Sequence, residues 1–112
     1  MINYNNKRFK LLSSSDNSEV STSIIFNYKQ DNNLLTCNYS GDQILSGHLM
    51  GIVESNGHIN MRYHQVNKKN VLMTGICYSK PEIMASGKIR LHENWQWTSG
   101  DLSKGESVLE EI

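Results

Sequence analysis

Hydrophobic and polar residues alternate along most of the chain, in short runs that are separated by clusters of Asn, Gly, Asp and Ser. Eight such runs lie between Lys7 and Ile112. None of them shows the longer period of an amphipathic helix. Short strands at regular spacing with turn residues between them are typical of a β-sandwich or a β-barrel. The pattern therefore predicts an all-β fold.

The runs place the predicted strands. They cover Lys7–Leu12, Val20–Gln30, Leu34–Ser40, Gln43–Val53, a fifth strand from Ile59 through Gln65, Val71–Ser79, Ile89–Trp97 and Glu106–Ile112. Asn56-Gly57 predicts a hairpin with a type I′ turn, because both central residues of that turn need a positive φ. The segment Ser79–Gly87 contains the only proline, Pro81, and is predicted to be a longer loop or one short helical turn.

Most predicted connections are short, so consecutive strands should pair antiparallel. We therefore predict a single antiparallel up-and-down barrel of about eight strands, lipocalin- or avidin-like in architecture, with a two-sheet β-sandwich as the alternative. Gly47 and Gly51 lie within a predicted strand, where a glycine marks a bend or a close backbone approach. At 112 residues the chain has the size of one domain, and we expect residues 1–112 to form it. An eight-stranded barrel has an interior that side chains can fill or that holds one small ligand.

Charge and composition narrow the choice of partners. Eleven basic and eleven acidic residues cancel and are scattered along the chain, so we expect no nucleic-acid partner. No apolar run has the length of a membrane span or of a signal peptide, which predicts a soluble, cytoplasmic protein without a membrane partner. Cys37 and Cys77 lie inside predicted strands, and we interpret them as buried, reduced thiols.

The sequence contains no recognisable motif for metal binding or catalysis. The four histidines are dispersed and have no metal-ligand spacing, so we predict no metal site and no cofactor. No nucleophile elbow and no phosphate-binding glycine loop is present in the sequence. The sequence therefore identifies no catalytic residue.

The strand Ile89–Trp97 carries the strongest indication of a site. Alternation places Glu93, Trp95 and Trp97 on its apolar, inward face. An inward carboxylate beside two indoles is costly unless it is paired or hydrogen-bonded. As a functional group, Glu93 would be a ligand-anchoring acid or a general acid with a raised pKa. As a structural group, it would be bonded by Tyr39, Tyr63 or backbone inside the barrel, or lie near the barrel rim.

The same parity places two tyrosines in the barrel interior. The candidate ligand-binding residues are Tyr39, Tyr63, Glu93, Trp95 and Trp97. A register error of one residue would replace this set with Arg62, His64, Arg90 and His92.

Three segments also resemble a known family. They are His58–His64, Met73–Cys77 and Arg90–Asp101, of which the last is the most specific. Over nearly the whole chain the protein resembles a family of small bacterial proteins that carry the label N-acetylglutamate synthase. The resemblance implies an acyltransferase, although the chain has no glycine-rich turn at a helix N-terminus to hold a pyrophosphate.

The leading hypothesis is a non-enzymatic barrel that binds a small molecule or acts as an accessory module. The alternatives are the acyltransferase and a protein-interaction module with a filled core, which would use an open strand edge or an exposed apolar patch. If the protein self-associates, we expect it to form a homodimer.

Overall fold

The computed structural model describes residues 2–112 and folds them into nine β-strands. The strands are β1 (Arg8–Ser14), β2 (Ile25–Asn27), β3 (Lys29–Asp31), β4 (Leu34–Gly41), β5 (Ile44–Val53), β6 (Ile59–Asn67), β7 (Leu72–Ile83), β8 (Ile89–Trp97) and β9 (Lys104–Glu111). Consecutive strands from β3 to β9 pair antiparallel, and β9 returns to pair with β1. The prediction of an antiparallel up-and-down barrel is confirmed.

The barrel closes through two short strands that together take the place of one. β2 pairs with β1 and β3 pairs with β4, and only Tyr28 separates them. The Tyr28 amide donates to the Lys7 carbonyl at 2.9 Å, and the Asn6 amide donates to the Tyr28 carbonyl at 2.9 Å. The chain therefore changes its pairing partner at Tyr28, and the nine strands form an almost closed barrel of about eight.

The second predicted strand, Val20–Gln30, begins too early. Residues 15–24 form a loop, and the strand starts at Ile25. Serine side chains bond locally in this loop: the Ser21 and Ser23 hydroxyls lie 2.8 Å apart, and the Ser18 hydroxyl accepts a hydrogen bond from the Val20 amide at 3.1 Å. Such local bonds compete with the ladder bonds of a strand.

The hairpin between β5 and β6 is confirmed, but its turn type is not the predicted I′. Only Gly57 has a positive φ, of 86°, and its amide donates to the Glu54 carbonyl at 2.9 Å. The turn before β8 repeats this geometry, with Gly87 at φ 88° donating to the Met84 carbonyl. One glycine in the left-handed region is enough for such a turn, whereas a type I′ turn needs two residues there.

The predicted loop or helical turn at Ser79–Gly87 is also wrong. β7 continues to Ile83, and Pro81 lies within it opposite Leu91 of β8. The pairing of β7 with β6 ends at Ser79, so no strand lies on the other side of Pro81. A proline is tolerated in a strand on an unpaired edge of this kind.

The two ends of the barrel are covered differently. At one end, which we call the closed end, Tyr4, Phe9 and Tyr28 pack with ring centroids 5.0 to 6.3 Å apart, and the Tyr4 hydroxyl donates to the Gly57 carbonyl at 2.6 Å. At the other end, the loop of residues 15–24 lies across the barrel, and we call it the lid. Space for a ligand remains beneath the lid.

Candidate ligand-binding cavity

A cavity of about 60 Å³ lies inside the barrel beneath the lid. A water molecule needs roughly 10–15 Å³ of such space, so the cavity has room for a compact organic group or a few waters. Its wall is formed by every strand of the barrel except β3, together with the lid. The lining side chains are Leu11, Ser18, Glu19, Val20, Phe26, Tyr28, Tyr39, Leu49, Met61, Tyr63, Gln65, Cys77, Glu93, Trp95, Trp97, Ser107 and Leu109.

All five residues of the predicted site line this one cavity. They are Tyr39 from β4, Tyr63 from β6, and Glu93, Trp95 and Trp97 from β8. The alternative register would have placed outward residues there, but none of Arg62, His64, Arg90 and His92 lines the cavity. The structure thus brings the predicted residues together, and whether they bind a ligand remains a prediction.

Three of the aromatic residues lie against a glycine on the neighbouring strand. The cross-strand pairs are Tyr39 with Gly47, Tyr63 with Gly75, and Trp95 with Gly105. A Cβ atom at any of these glycines would overlap the ring beside it. The rings therefore lie close to the barrel wall, and this arrangement keeps the centre of the barrel open. From the sequence, Gly47 was interpreted as a bend or a close backbone approach, and Gly75 and Gly105 were not singled out.

Glu93 lies deep in the cavity wall between two serines on the neighbouring strands, Ser79 and Ser107. Its Oε2 accepts a hydrogen bond from the Ser79 hydroxyl at 3.3 Å. Burial raises the pKa of Glu93 to about 7, although hydrogen bonds from Ser79 and from the Cys77 thiol act in the opposite direction. Near neutral pH this carboxyl group is thus poised between its neutral and charged forms.

The structural alternative for Glu93, a bond from either tyrosine, is not what the structure shows. The Tyr39 hydroxyl donates instead to Gln65 Oε1 at 2.8 Å. Trp95 also binds elsewhere, because its Nε1 donates to Ser107 Oγ at 2.8 Å. Tyr39 and Trp95, two neighbours of Glu93 in the cavity wall, are therefore already engaged with other groups.

Glu19 fastens the lid over the cavity. Its two carboxylate oxygens accept hydrogen bonds from Gln65 Nε2 and Asn67 Nδ2, both at 2.8 Å. A second anchor joins Trp97 Nε1 to the Asn17 carbonyl at 3.1 Å. Glu19 was not predicted, because it lies in a polar stretch without periodicity. No signal in the sequence indicates that this loop covers the barrel.

Tyr28 also lines the cavity but was not assigned to the predicted site. Its side chain is completely buried, and its hydroxyl oxygen has no hydrogen-bond partner within residues 2–112. Burial and the neighbouring Glu93 raise its pKa well above the ordinary range, so the hydroxyl stays protonated. A buried hydroxyl without a partner is uncommon in folded proteins. It could be satisfied by a molecule in the cavity.

The two cysteines are buried free thiols, as interpreted from the sequence. Burial raises the pKa of both, to about 12 for Cys37. Thiols in this state are poor nucleophiles. In residues 2–112 no group of three or more His, Cys, Asp and Glu side chains is arranged to hold a metal ion. That part of the chain also contains no helix with the length and apolarity to cross a membrane.

The fold and the cavity together define a class: small antiparallel barrels that enclose one internal site. Residues 2–112 match the family described as avidin-like protein, and the chain belongs to that family. No curated protein and no solved structure matches the chain. Membership agrees with the avidin-like architecture that the strand pattern predicted.

The resemblance to the family labelled N-acetylglutamate synthase is therefore corrected. The family that matches is avidin-like, and no comparison supports the synthase label or the acyltransferase that it implied. The residues that carried the resemblance lie mostly on β6, β7 and β8. Their spacing reflects the alternation of a barrel wall, with Glu93, Trp95 and Trp97 inward and Arg90 and His92 outward.

Proposed function

We propose that the protein is a non-enzymatic binder of a small molecule, which is held inside the barrel beneath the lid. The observation that carries this proposal is the cavity itself, which is lined by aromatic rings and by the half-buried carboxyl group of Glu93, without a Lys, Arg or His side chain from the described residues. A protein interior is normally packed to high density, so space retained beside the Glu93 carboxyl group favours an occupant. Avidin-like proteins bind small ligands such as biotin, which agrees with this proposal.

The ligand would contact both tryptophans of the chain, because Trp95 and Trp97 line the cavity. Their fluorescence therefore reports on occupancy directly. We would record native mass spectra of the purified protein to detect a bound small molecule, and then titrate a set of small neutral, cationic and anionic molecules, with biotin among them. A bound mass, or a saturable change in tryptophan fluorescence, is the expected result.

A matched pair of variants tests the location. Leu49 faces the cavity and its neighbour Met50 faces solvent, with 52 % of its surface exposed. Leu49→Phe should fill the cavity and abolish binding, whereas Met50→Phe should leave binding unchanged. A protein that carries no bound mass and gives no fluorescence response to any probe would contradict the proposal. Equal binding by both variants would place the site outside the barrel.

Self-association is a second candidate property, and one surface favours it. Leu34 and Ile52 face each other across β4 and β5 on the outer wall, beside Met50. Their exposed fractions are 43 % for Leu34 and 54 % for Ile52. Avidin-like proteins often form oligomers. We infer a homodimer through this surface, which light scattering after size exclusion would test. Ile52→Lys should yield a monomer, and Ile83→Lys, at an exposed position on β7, should not.

A further inference from the structure

The charges on the cavity wall are all of one sign. Glu19 and Glu93 line the cavity, and among the described residues no Lys, Arg or His side chain does so. A cleft with walls of low dielectric constant and a single sign of charge concentrates the opposite charge. This arrangement favours a cation and opposes an anionic ligand.

The two carboxylates differ in how well the protein solvates them. Glu19 accepts two short bonds from amide donors, Gln65 and Asn67, at 2.8 Å. Glu93 accepts only a long bond from Ser79, at 3.3 Å, and one from the weak donor Cys77. A buried carboxylate needs a paired charge or strong donors. Glu93 is therefore the group that a ligand can satisfy.

The hydroxyl of Tyr28 offers an independent indication of a ligand at the same place. Tyr28 lines the same cavity as Glu93. Its hydroxyl is completely buried and has no partner in the described part of the chain. Its oxygen can accept a hydrogen bond. An ammonium group carries several N–H donors and no acceptor, so it can bond the Tyr28 oxygen and the Glu93 carboxylate together.

The remaining wall also suits a cation. Rings of Tyr39, Tyr63, Trp95 and Trp97 surround the cavity, with Trp97 5.6 Å from Tyr63 and 5.8 Å from Trp95 between centroids. Cations are attracted to the faces of such rings, and most strongly to indole. Aromatic walls around an uncompensated acid are how proteins hold organic ammonium groups.

We propose that the cavity selects a small organic cation, a protonated amine, whose charge is held by Glu93 and whose N–H group bonds the Tyr28 hydroxyl. This inference rests on the proposed function, because it names the chemical class of the ligand for the same site. A neutral ligand would leave the Glu93 charge uncompensated. A carboxylate ligand would be repelled by Glu19 and Glu93 together.

Three probes of similar size and different charge test the inference: propylammonium, 1-propanol and propionate. Each is titrated at about pH 8, where Glu93 is charged, while tryptophan fluorescence and ligand NMR signals are recorded. We expect propylammonium to bind at least about tenfold more tightly than 1-propanol, and propionate not to bind. Glu93→Gln should remove this preference. The control Glu106→Gln, on the exposed outer face of β9, should keep it.

The pH dependence gives a second readout. Lowering the pH through the pKa of Glu93, about 7, protonates the carboxyl group and should weaken the binding of propylammonium. The other ionisable groups that face Glu93 are Tyr28, Tyr39, Tyr63 and Cys77, and burial raises the pKa of each, so they stay neutral. Glu19 is common to the wild type and Glu93→Gln, so the difference between them isolates Glu93. Tyr28→Phe should weaken propylammonium binding without removing its pH dependence.

The outcomes separate the two proposals. If 1-propanol, propionate or biotin binds as well as propylammonium or better, the cation inference is overturned and the small-ligand function stands. If no probe changes the fluorescence and the native mass shows no bound molecule, the proposed function fails and the inference fails with it. If Glu93→Gln retains the full preference for propylammonium, the charge of Glu93 is not the determinant and the inference is wrong.

Discussion

The two ends of the barrel use the same alternation of inward and outward residues, but they fill the interior differently. At the closed end the inward side chains include Leu91, Ile59 and Phe9, which are completely buried. Beneath the lid, the inward positions carry Gln65 and Glu93 among aromatic rings that lie against glycines. The pattern of polar and apolar residues thus specifies the barrel, and the size and polarity of particular inward residues decide where it is packed and where it is hollow.

The largest difference between the ends should appear in core truncations. Leu91→Ala removes a fully buried side chain at the closed end and should cost about 2–5 kcal/mol of unfolding free energy. Leu49→Ala removes the same atoms beside existing space, so its cost should fall at or below the lower limit of that range. Urea denaturation of both variants measures the two costs. Equal losses would show that the cavity end is packed as tightly as the closed end.

Glu93 should make the cavity end sensitive to pH. Its pKa in the folded protein, about 7, lies above the value of 4.5 for an unperturbed glutamate, so the folded state holds the proton more tightly. The contribution of Glu93 to the free energy of unfolding is therefore greatest below about pH 4.5. It falls by up to about 3 kcal/mol as the pH rises to 7, and it levels off above that pH. Glu93→Gln should remove this contribution and stabilise the ligand-free protein at about pH 8.

Subtracting the variant from the wild type at each pH isolates the contribution of this carboxyl group from those of all other titratable groups. Chemical denaturation between about pH 4 and pH 8 gives the two curves. A difference that does not change with pH would show that Glu93 ionises normally and is well solvated.

Substituting the glycines opposite the aromatic rings should give the next largest loss of stability. Gly105→Ala places a methyl group where the Trp95 ring lies, so the indole must move into the cavity. Such overpacking costs about 1–3 kcal/mol. The variant should also lose ligand capacity and shift the tryptophan emission. Gly87→Ala is the control. Its added methyl group meets no atom within 4 Å, so any loss of stability comes from the backbone strain at a φ of 88° alone. An unchanged emission spectrum in Gly105→Ala would contradict the packing described for Trp95.

Much of the fold could be predicted from the sequence, because a barrel strand repeats with period two and its turns use recognisable residues. The parity of Glu93, Trp95 and Trp97 followed directly from this period. The end of β7 could not be predicted, since Pro81 is tolerated only where β6 no longer pairs with β7. That condition depends on the register of a neighbouring strand, which the local sequence does not contain.

The site was predicted only in part, for a similar reason. Residues on regular strands, such as Tyr39 and Tyr63, were placed by parity alone. Glu19 belongs to an aperiodic loop, and its role depends on Gln65 and Asn67, more than forty residues away. The orphaned hydroxyl of Tyr28 is likewise a property of what surrounds it in three dimensions. Alternation predicts which side a residue faces, but it does not predict which hydrogen-bond partners that residue finds there.

The smallest effect offers the sharpest comparison, between two buried tyrosines of the same wall. The Tyr28 hydroxyl has no partner, so Tyr28→Phe removes a desolvated polar group and should raise the stability of the ligand-free protein by up to about 1 kcal/mol. The Tyr39 hydroxyl bonds Gln65 at 2.8 Å, so Tyr39→Phe should lower stability by about 1 kcal/mol. Urea denaturation of both variants measures these opposite signs. A loss of stability in Tyr28→Phe would mean that the hydroxyl is already satisfied in the empty barrel. A gain would confirm that the hydroxyl is buried without a partner in the ligand-free barrel, which is the state that the proposed bond to a ligand requires.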